Sequence, residues 1–384
     1  MKRVCFLFEG DIYNPRGEFI AIHNRLKSYI KNCDFEIDAI VCWPYYNRLM
    51  QTLTHDSNGE MVDTYQMDGV TYKCLWYQKS FIDVLTHKIL KRSSSLEYAN
   101  LLKQFAWNKY DLIYAHSLKC GRIAKFAKEK YGIPYVVTWH GSSIHSLPFM
   151  DRNWYKETVD VLSFADHNFY VSKELQDIAE RIAPNTGSIS LNGIDTDRFH
   201  KFTECKLLSE KKRLNVDANK LNIAYIGNCY PVKNVSYLPK LFALISQKIA
   251  DCHFFIVGNG PFKELFTDAC IDVTYLGSVQ NTDMPSYYNI FDLVVLPSLK
   301  EGLPMTALEA TACGTLFIGS RVGEIANVVG TEFTVARDER FEENFAKRCI
   351  EALQNKELSP LLRDSYKVDT IVQNEVNIIT SLIK

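Results

Sequence analysis

The chain has 384 residues, of which 47% are hydrophobic and 23% charged, and its formal net charge is −1. A chain of this length favours two domains, and the composition excludes a disordered protein. The near-zero charge gives no electrostatic basis for nucleic-acid binding, and no run reaches the roughly 20 apolar residues of a membrane-spanning helix.

The first half of the chain alternates between strand and helix patterns. The predicted strands are 3–8, 36–42, 70–76, 111–115, 135–139, 167–171 and 187–191. The predicted helices lie near 18–31, 81–105, 119–131, 152–164 and 173–182, and the polar stretch 51–68 is predicted to be an excursion from the sheet or a loop. Such alternation predicts a parallel sheet with right-handed crossovers.

A second alternating series follows the charge-rich stretch 199–219, which we interpret as a connection between domains. Its predicted strands are 221–227, 252–257, 273–276, 292–296 and 315–318, and its helices lie near 234–249, 261–270, 283–289, 303–313 and 339–354. The C-terminal stretch 361–384 has helical periodicity. The two series together predict an α/β protein with two Rossmann-like domains that face each other across a cleft.

The eleven cysteines show no spacing typical of a metal or redox site. Cys5, Cys42 and Cys252 fall in strand-like runs, where cysteine acts as a small core residue. Unpaired cysteines favour a reducing compartment. The run 3–8 is too short for a secretory core, so we expect a cytoplasmic protein.

The stretch 298–314 combines a strand end, a loop and a helix start. An apolar run over 293–297 precedes it, and a helical pattern runs from Leu303 to a Gly314 stop. Ligands of open α/β sheets bind beyond the carboxyl ends of strands, and a helix N-terminus suits phosphate. Glu301 and Glu309 lie eight residues apart in this stretch. The alternative is that Glu301 caps the helix and Glu309 is a solvated helix residue.

The pair, embedded in Glu-Gly-Leu-Pro-Met followed by Glu-Ala, resembles the E-x7-E element of family 4 retaining glycosyltransferases, which have the two-domain GT-B fold. The resemblance implies that Glu309 holds the ribose hydroxyls of a sugar nucleotide and that Glu301 lies against the donor sugar. It also implies that the C-terminal helix 365–384 returns to the first domain. The predicted domains are therefore 1–198 with 365–384, and 199–364.

The stretch after strand 221–227 carries a lysine that could neutralise the charge of a bound diphosphate. The family has Gly-Arg followed by Lys five residues later, and here Gly227, Asn228 and Lys233 stand at those positions. A departing nucleoside diphosphate gains negative charge in the transition state, and fixed cations stabilise it. Asn228 is neutral, so one charge is missing, although its side-chain amide can still donate a hydrogen bond. Arg321 is a candidate to replace it.

Two segments of the first half also match. The loop 9–18 ends in Arg16-Gly17 where the family has Gly-Gly, and Gly17 could bring a backbone N–H close to a phosphate. Thr138-Trp-His-Gly-Ser resembles the family segment whose His approaches the donor sugar, here His140, although the residues alone do not make it a general base. The implied catalytic residues are Lys233, Glu301 and His140, and the implied donor-binding residues are Gly17, Gly227, Asn228, Val279, Gly302, Leu303, Pro304, Met305 and Glu309.

The resemblance implies a metal-independent, retaining transferase that needs no cofactor and moves a sugar from a nucleotide-diphosphate sugar to a glycan or lipid-linked glycan, typically in bacterial surface polysaccharide synthesis. An epimerase or phosphorylase of the same fold is disfavoured, because the chain shows no acid/base carboxylate set and no phosphate or lysine-bound cofactor site. A catalytically weak or inactive sugar-nucleotide-binding subunit remains the alternative. Asn228, together with Asn327 at a position where the family has Glu, favours it.

The segment 81–103 mixes apolar and basic residues, with Phe81, Ile82 and Leu85 near Lys88 and Lys91. Such a patch could rest on an anionic membrane surface. The alternative, that the apolar residues pack on the sheet of the first domain and the basic residues are solvated, is favoured. Weak, salt-sensitive contact with the inner membrane face is thus a secondary hypothesis.

Overall fold

The computed structural model describes residues 1–13, 18–46, 61–79, 106–266, 271 and 273–383. Two compact units are present: Met1–Gly193 with Val368–Lys384, and Ile194–Lys367. Each unit contains one sheet, of eight strands in the first and six in the second among the described residues. The prediction of two α/β domains is confirmed, and the cleft between them stays a prediction.

The strands of the first unit are β1 (Lys2–Glu9), β2 (Phe35–Tyr46), β3 (Thr64–Met67), β4 (Val70–Lys79), β5 (Leu112–His116), β6 (Tyr135–Trp139), β7 (His167–Tyr170) and β8 (Gly187–Ile189). Its helices are α1 (Glu18–Asn32), α2 (Ser117–Tyr131), α3 (Gly141–His145), α4 (Arg152–Phe164) and α5 (Lys173–Ile182). The sheet order is β3-β4-β2-β1-β5-β6-β7-β8, parallel except for the β3–β4 pair. The helix predicted over 81–105 lies outside the described residues.

The second unit contains strands β9 (Leu221–Ile226), β10 (Cys252–Val257), β11 (Val273–Gly277), β12 (Leu293–Leu296), β13 (Leu316–Ser320) and β14 (Thr334–Val335). Its helices are α6 (Glu204–Arg213), α7 (Leu238–Ser246), α8 (Phe262–Leu265), α9 (Met284–Ile290), α10 (Met305–Cys313), α11 (Ile325–Val329) and α12 (Phe341–Gln354). The order β11-β10-β9-β12-β13-β14 is parallel throughout. β9 and β12 are neighbours in the sheet although two strands separate them in sequence.

The C-terminal helix α13 (Val368–Leu382) packs on α1 in the first unit, so the prediction that the tail returns there is confirmed. A buried ion pair fixes it: Arg25 Nε lies 3.5 Å from Glu375 Oε1, and the two side chains are 2% and 1% exposed. Tyr29 and Ser190 also donate hydrogen bonds to the Glu375 carboxylate. A buried carboxylate with this many donors is a strong anchor.

Two stretches to which the sequence analysis assigned no helix or strand contain one each among the described residues. The stretch 51–68, predicted to be an excursion or loop, is described from residue 61 and contains the strand β3, which forms a hairpin with β4 through Asp68 and Gly69 at φ 47° and 79°. An Asp-Gly turn with both residues at positive φ is the typical two-residue hairpin connection. The stretch 199–219, predicted to be a connection, contains α6, whose first turn is capped by the Thr203 hydroxyl. No residue of α6 is buried, which explains its weak periodicity.

Candidate functional site

The carboxyl ends of β9 and β12 lie side by side at the point where the strand order of the second unit reverses. Residues 223–225 of β9 pair with 293–295 of β12 in parallel. Gly227 follows the end of β9, and Ser298 closely follows the end of β12. A crevice forms at such a switch point, and in open α/β sheets ligands bind there. The two stretches that the sequence analysis singled out in this domain therefore begin at one place in the fold.

Lys233, Ser298 and Glu301 form a compact polar cluster at this edge. Lys233 Nζ lies 2.7 Å from Glu301 Oε1, and Ser298 Oγ donates to the same oxygen over 2.5 Å. The Glu301 side chain is 8% exposed and that of Lys233 is 26% exposed. Neither bond uses Oε2 of Glu301. Sequence reasoning missed Ser298, although its position three residues before Glu301 in the same loop was a usable signal.

The alternative role of Glu301 as a helix cap is excluded. Helix α10 begins at Met305, its N-cap is Pro304, and no side chain caps it. The predicted start at Leu303 is two residues early, because Pro304 has extended backbone at ψ 110°. Gly302, Leu303 and Pro304 therefore form the loop that leads into the helix. The first N–H groups of a helix have no partner within it and are available to an anion.

Gly323 supports this loop from the neighbouring connection. Its φ is +53°, and a Cβ built there would lie 2.1 Å from the backbone oxygen of Glu301. The N–H of Glu324 donates to the Gly302 carbonyl over 3.0 Å. The loop around Glu301 is thus held by a backbone contact that only glycine permits at 323. Asn327 bonds to the Glu324 carboxylate over 2.7 Å.

Glu309 lies in the middle of α10 and is half-buried. The Tyr288 hydroxyl donates to its Oε2 over 2.6 Å. Burial raises the pKa of Glu309 to about 7, while the bond from Tyr288 and the charge of Arg198 act in the opposite direction. A carboxyl group with such a pKa changes charge near neutral pH. The alternative of a solvated helix residue is therefore wrong.

Asn228 ties two loops together instead of supplying charge. Its Oδ1 accepts a hydrogen bond from the Asn259 N–H over 3.0 Å, and its carbonyl accepts one from the Tyr225 hydroxyl over 3.1 Å. Gly227 N–H donates to the Val257 carbonyl at the end of β10. Residue 228 therefore fixes the end of β9 against the turn after β10.

Arg321 is engaged elsewhere. Its Nε donates to the Thr334 hydroxyl over 3.1 Å, and its Nη2 donates to the carbonyls of Thr331 and Thr334. In this state it holds the segment before β14, so its suggested replacement of the missing cation has no support. Arg337, which the sequence analysis did not consider, donates to the Pro297 carbonyl at the end of β12 over 3.2 Å. Val279 lies in the loop after β11, two strands away from β9.

In the first unit, His140 follows β6 directly, at the carboxyl end of that strand, and is 5% exposed. Its Nε2 lies 3.2 Å from Nδ1 of His116, which ends β5, and 4.0 Å from Oε1 of Glu18. Burial lowers the pKa of both imidazoles, and in this contact between neutral rings one ring nitrogen donates and the other accepts. Ser117, at φ 66°, donates to Glu18 Oε1 over 2.6 Å. Gly17 lies outside the described residues.

A cavity of about 1310 Å³ lies in the second unit at the opposite edge of the sheet. Residues near the starts of β12 and β13, among them Phe291, Asp292 and Leu316, line it. Neither Lys233 nor Glu301 is among the residues that line this cavity. This cavity is therefore separate from the switch-point site.

Among the residues that the structure describes, no three or more His, Cys, Asp or Glu side chains are grouped so that they could hold a metal ion. The metal-independent chemistry implied by the sequence stays a prediction. No helix within the described part of the chain is long and apolar enough to cross a membrane.

Two family models match the chain. One, described as Glycosyltransferase Family 4, matches residues 80–198. The other, described as Glycosyl transferases group 1, matches residues 220–355. The first matched stretch lies in the first unit except for residues 194–198, and the second lies in the second unit and contains Lys233, Glu301 and Glu309.

Relatives and solved structures agree with these matches. A putative teichuronic acid biosynthesis glycosyltransferase, TuaC of Bacillus subtilis, is 31% identical over 57% of this chain and 55% of its own length. A UDP-Gal:alpha-D-GlcNAc-diphosphoundecaprenol alpha-1,3-galactosyltransferase of Escherichia coli is 27% identical over 66% of this chain and 68% of its own. The alignment thus spans little more than half of the first relative. The structure of Anabaena Alr3699/HepE in complex with UDP superposes with a TM-score of 0.71 at 18% identity, over 99% of this chain and all of that one, which establishes the fold.

Proposed function

Since this chain belongs to the group 1, family 4 glycosyltransferases with the GT-B fold, we propose that it transfers a sugar from a nucleotide-diphosphate sugar to an acceptor hydroxyl. The reaction retains the anomeric configuration and needs neither a metal ion nor a cofactor. The acceptor is a glycan or a lipid-linked glycan of a bacterial surface polysaccharide. The names of the relatives TuaC and the undecaprenol-linked galactosyltransferase support this acceptor class.

The observation that carries the proposal is the Lys233–Ser298–Glu301 cluster at the β9/β12 switch point. A diphosphate bound beside Lys233 and the first N–H groups of α10 would meet one full positive charge and the positive end of a helix dipole. Both interactions strengthen as the leaving group gains charge, and therefore lower the barrier. Lys233 is partly exposed and can reach a ligand, whereas its partner Glu301 is nearly buried.

Glu301 acts as an orienting group and not as a nucleophile in this proposal. Its Oε1 is occupied by Lys233 and Ser298, which leaves Oε2 to accept a hydroxyl of the donor sugar. The acceptor hydroxyl then attacks from the face that the leaving diphosphate vacates, and a phosphate oxygen takes its proton. The bond between the anomeric carbon and the diphosphate oxygen breaks, the bond between the anomeric carbon and the acceptor oxygen forms, and the acceptor proton leaves on the nucleoside diphosphate.

Glu309 binds the ribose of the donor. A carboxylate accepts hydrogen bonds from both hydroxyls of a diol, and Glu309 is half-buried on the helix that follows the diphosphate loop. We propose a uridine nucleotide, because the galactosyltransferase uses UDP-Gal by its name and the Anabaena structure contains UDP.

A second candidate function is sugar-nucleotide binding without efficient transfer. Asn228 occupies the position of a family arginine, its side chain is committed to Asn259, and Arg321 is committed to Thr331 and Thr334. A site with one cation in place of two would stabilise the leaving group less.

The two candidates differ in turnover, not in binding. The experiment measures binding of UDP-glucose and UDP-galactose by calorimetry, and release of UDP from each with and without lipid-linked glycan acceptors. Transfer supports the enzyme, whereas tight binding without acceptor-dependent UDP release supports the binding subunit. Absence of binding to any nucleotide-diphosphate sugar in a panel of uridine and guanosine derivatives would contradict both. Lys240→Ala is the matched control for Lys233→Ala, because Lys240, on α7, forms an equally short ion pair with Glu342 on α12.

Membrane association is a separate part of the proposal. The segment 81–103 that prompted it lies outside the described residues, so its sequence alone supports the idea. Sedimentation with anionic vesicles at low and high salt tests it. Salt-sensitive binding supports a cytoplasmic protein at the inner membrane face, and no binding at low salt removes the membrane contact.

A further inference from the structure

Tyr288 donates the hydrogen bond that the structure describes for the Glu309 side chain. It lies on α9, its side chain is 0% exposed, and its hydroxyl donates to Glu309 Oε2 over 2.6 Å. The Thr315 hydroxyl donates to the Tyr288 carbonyl over 2.6 Å, and the Phe199 ring packs edge-on against the Tyr288 ring at a centroid distance of 6.1 Å. Both contacts fix the tyrosine before any ligand arrives.

The hydroxyl of Tyr288 can only act as a donor to the carboxylate. Burial raises the pKa of Tyr288 well above its ordinary value, and the charge of Glu309 raises it further. The phenol therefore stays protonated wherever the protein is folded near neutral pH. A charged acceptor makes such a hydrogen bond roughly twice as strong as a neutral pair.

The surroundings of Glu309 otherwise disfavour its charge. Burial is the largest influence on its pKa, and the groups that oppose it are Tyr288 on α9 and Arg198 in the stretch before α6. Cys313, on the same helix, has its own pKa raised by burial and by Glu309, so it stays a neutral thiol. Tyr288 is thus the one direct hydrogen-bond donor to this carboxylate in the part of the chain that the structure describes.

We propose that Tyr288 is a positioning residue of the nucleotide site, which holds Oε2 of Glu309 so that the charged carboxylate presents Oε1 to the ribose diol. The proposal rests on the proposed role of Glu309. It makes recognition of the 2′- and 3′-hydroxyls depend on a side chain that does not touch the nucleotide. Ribose selectivity is therefore set on α9, outside the Glu-x7-Glu stretch.

Tyr288→Phe tests this role, because it removes one oxygen and keeps the ring packing. We expect the wild-type protein to bind UDP about tenfold or more tightly than 2′-deoxy-UDP at about pH 8, since a lost hydrogen bond to a charged group costs at least that factor. Tyr288→Phe should reduce this ratio severalfold. It should also move the midpoint of the pH dependence of UDP-glucose binding upward, because the bond from Tyr288 lowers the pKa of Glu309.

Tyr287→Phe is the matched control on the same helix, where the ring packs against Phe291, and it should change neither quantity. Glu309→Gln tests the site itself. If Glu309→Gln abolishes the preference for UDP while Tyr288→Phe leaves the preference and the midpoint unchanged, the positioning role is refuted and the ribose site stands. If the wild-type protein shows no preference, or Glu309→Gln leaves it intact, the ribose site and the inference both fail. Reduced preference with an upward midpoint in Tyr288→Phe alone supports the inference.

Discussion

Replacing Lys233 by Ala removes the cation from a carboxylate that has little access to water. The ion pair is 2.7 Å long, and its side chains are 26% and 8% exposed for Lys233 and Glu301. Breaking a fully buried pair costs about 3–5 kcal/mol, whereas an exposed pair contributes about 0.2–1 kcal/mol. Because the exposure of this pair lies between those two cases, we expect the free energy of unfolding to fall by about 2 kcal/mol. For a domain of this size that corresponds to a decrease in Tm of about 4–8 °C.

A double-mutant cycle isolates the pair. Glu301→Gln keeps an oxygen that can accept from Ser298 and leaves Lys233, which water can reach, so its cost should be about 1 kcal/mol. The double variant should be less destabilised than the sum of the single variants by about 1–2 kcal/mol. Thermal unfolding followed by circular dichroism provides the values. The control Lys240→Ala, whose pair with Glu342 is 58% and 45% exposed, should change stability by less than about 0.5 kcal/mol.

If the effects of the two substitutions on the free energy of unfolding are additive within about 0.5 kcal/mol, the described ion pair is refuted.

The same variants separate substrate binding from the chemical step. Because charge on the diphosphate grows in the transition state, Lys233→Ala should lower kcat by a larger factor than it weakens UDP-glucose binding. Full retention of kcat would place the cation that stabilises the leaving group elsewhere.

Three further predictions follow from single contacts. Gly323→Ala should destabilise the protein by about 1–3 kcal/mol, because its Cβ would lie 2.1 Å from the backbone oxygen of Glu301. It should also weaken UDP-glucose binding in calorimetry. The control Gly132→Ala, at φ +73° with no atom within 4 Å of the added Cβ, should cost only the backbone strain. Glu375→Ala strands a buried guanidinium, so chemical denaturation should show a loss of about 3–5 kcal/mol, and a loss below about 1 kcal/mol would contradict the anchor. Burial raises the pKa of Glu309 to about 7, and the charged form binds the diol, so UDP-glucose affinity should fall about tenfold from about pH 8 to about pH 6; an affinity independent of pH in that range would contradict the role.

The strand–helix alternation was readable from the sequence because each buried strand is a short apolar run. The apolar run 293–297 and the Gly314 stop located α10 to within two residues of its observed start at Met305. Family 4 membership follows from the two family models, whose matched stretches include Lys233, Glu301 and Glu309. Their individual roles remain predictions.

The contacts that organise the site could not be predicted, because they join residues far apart in sequence. Lys233 and Glu301 are 68 positions apart, and Tyr288 and Glu309 are 21 apart on different helices. Only the packing of the sheet brings them together. By contrast, the Asp-Gly pair at 68–69 is a local sequence signal for a hairpin turn, but the polar residues around it favoured a loop.

The most direct test of the proposed site is a crystal structure of the protein with UDP-glucose. The account predicts the diphosphate between Lys233 and the first turn of α10, with the ribose hydroxyls on the Glu309 carboxylate. It also predicts that the Tyr288 hydroxyl remains bonded to Glu309. A nucleotide bound away from the β9/β12 edge, for example in the cavity beside Phe291 and Leu316, would contradict it.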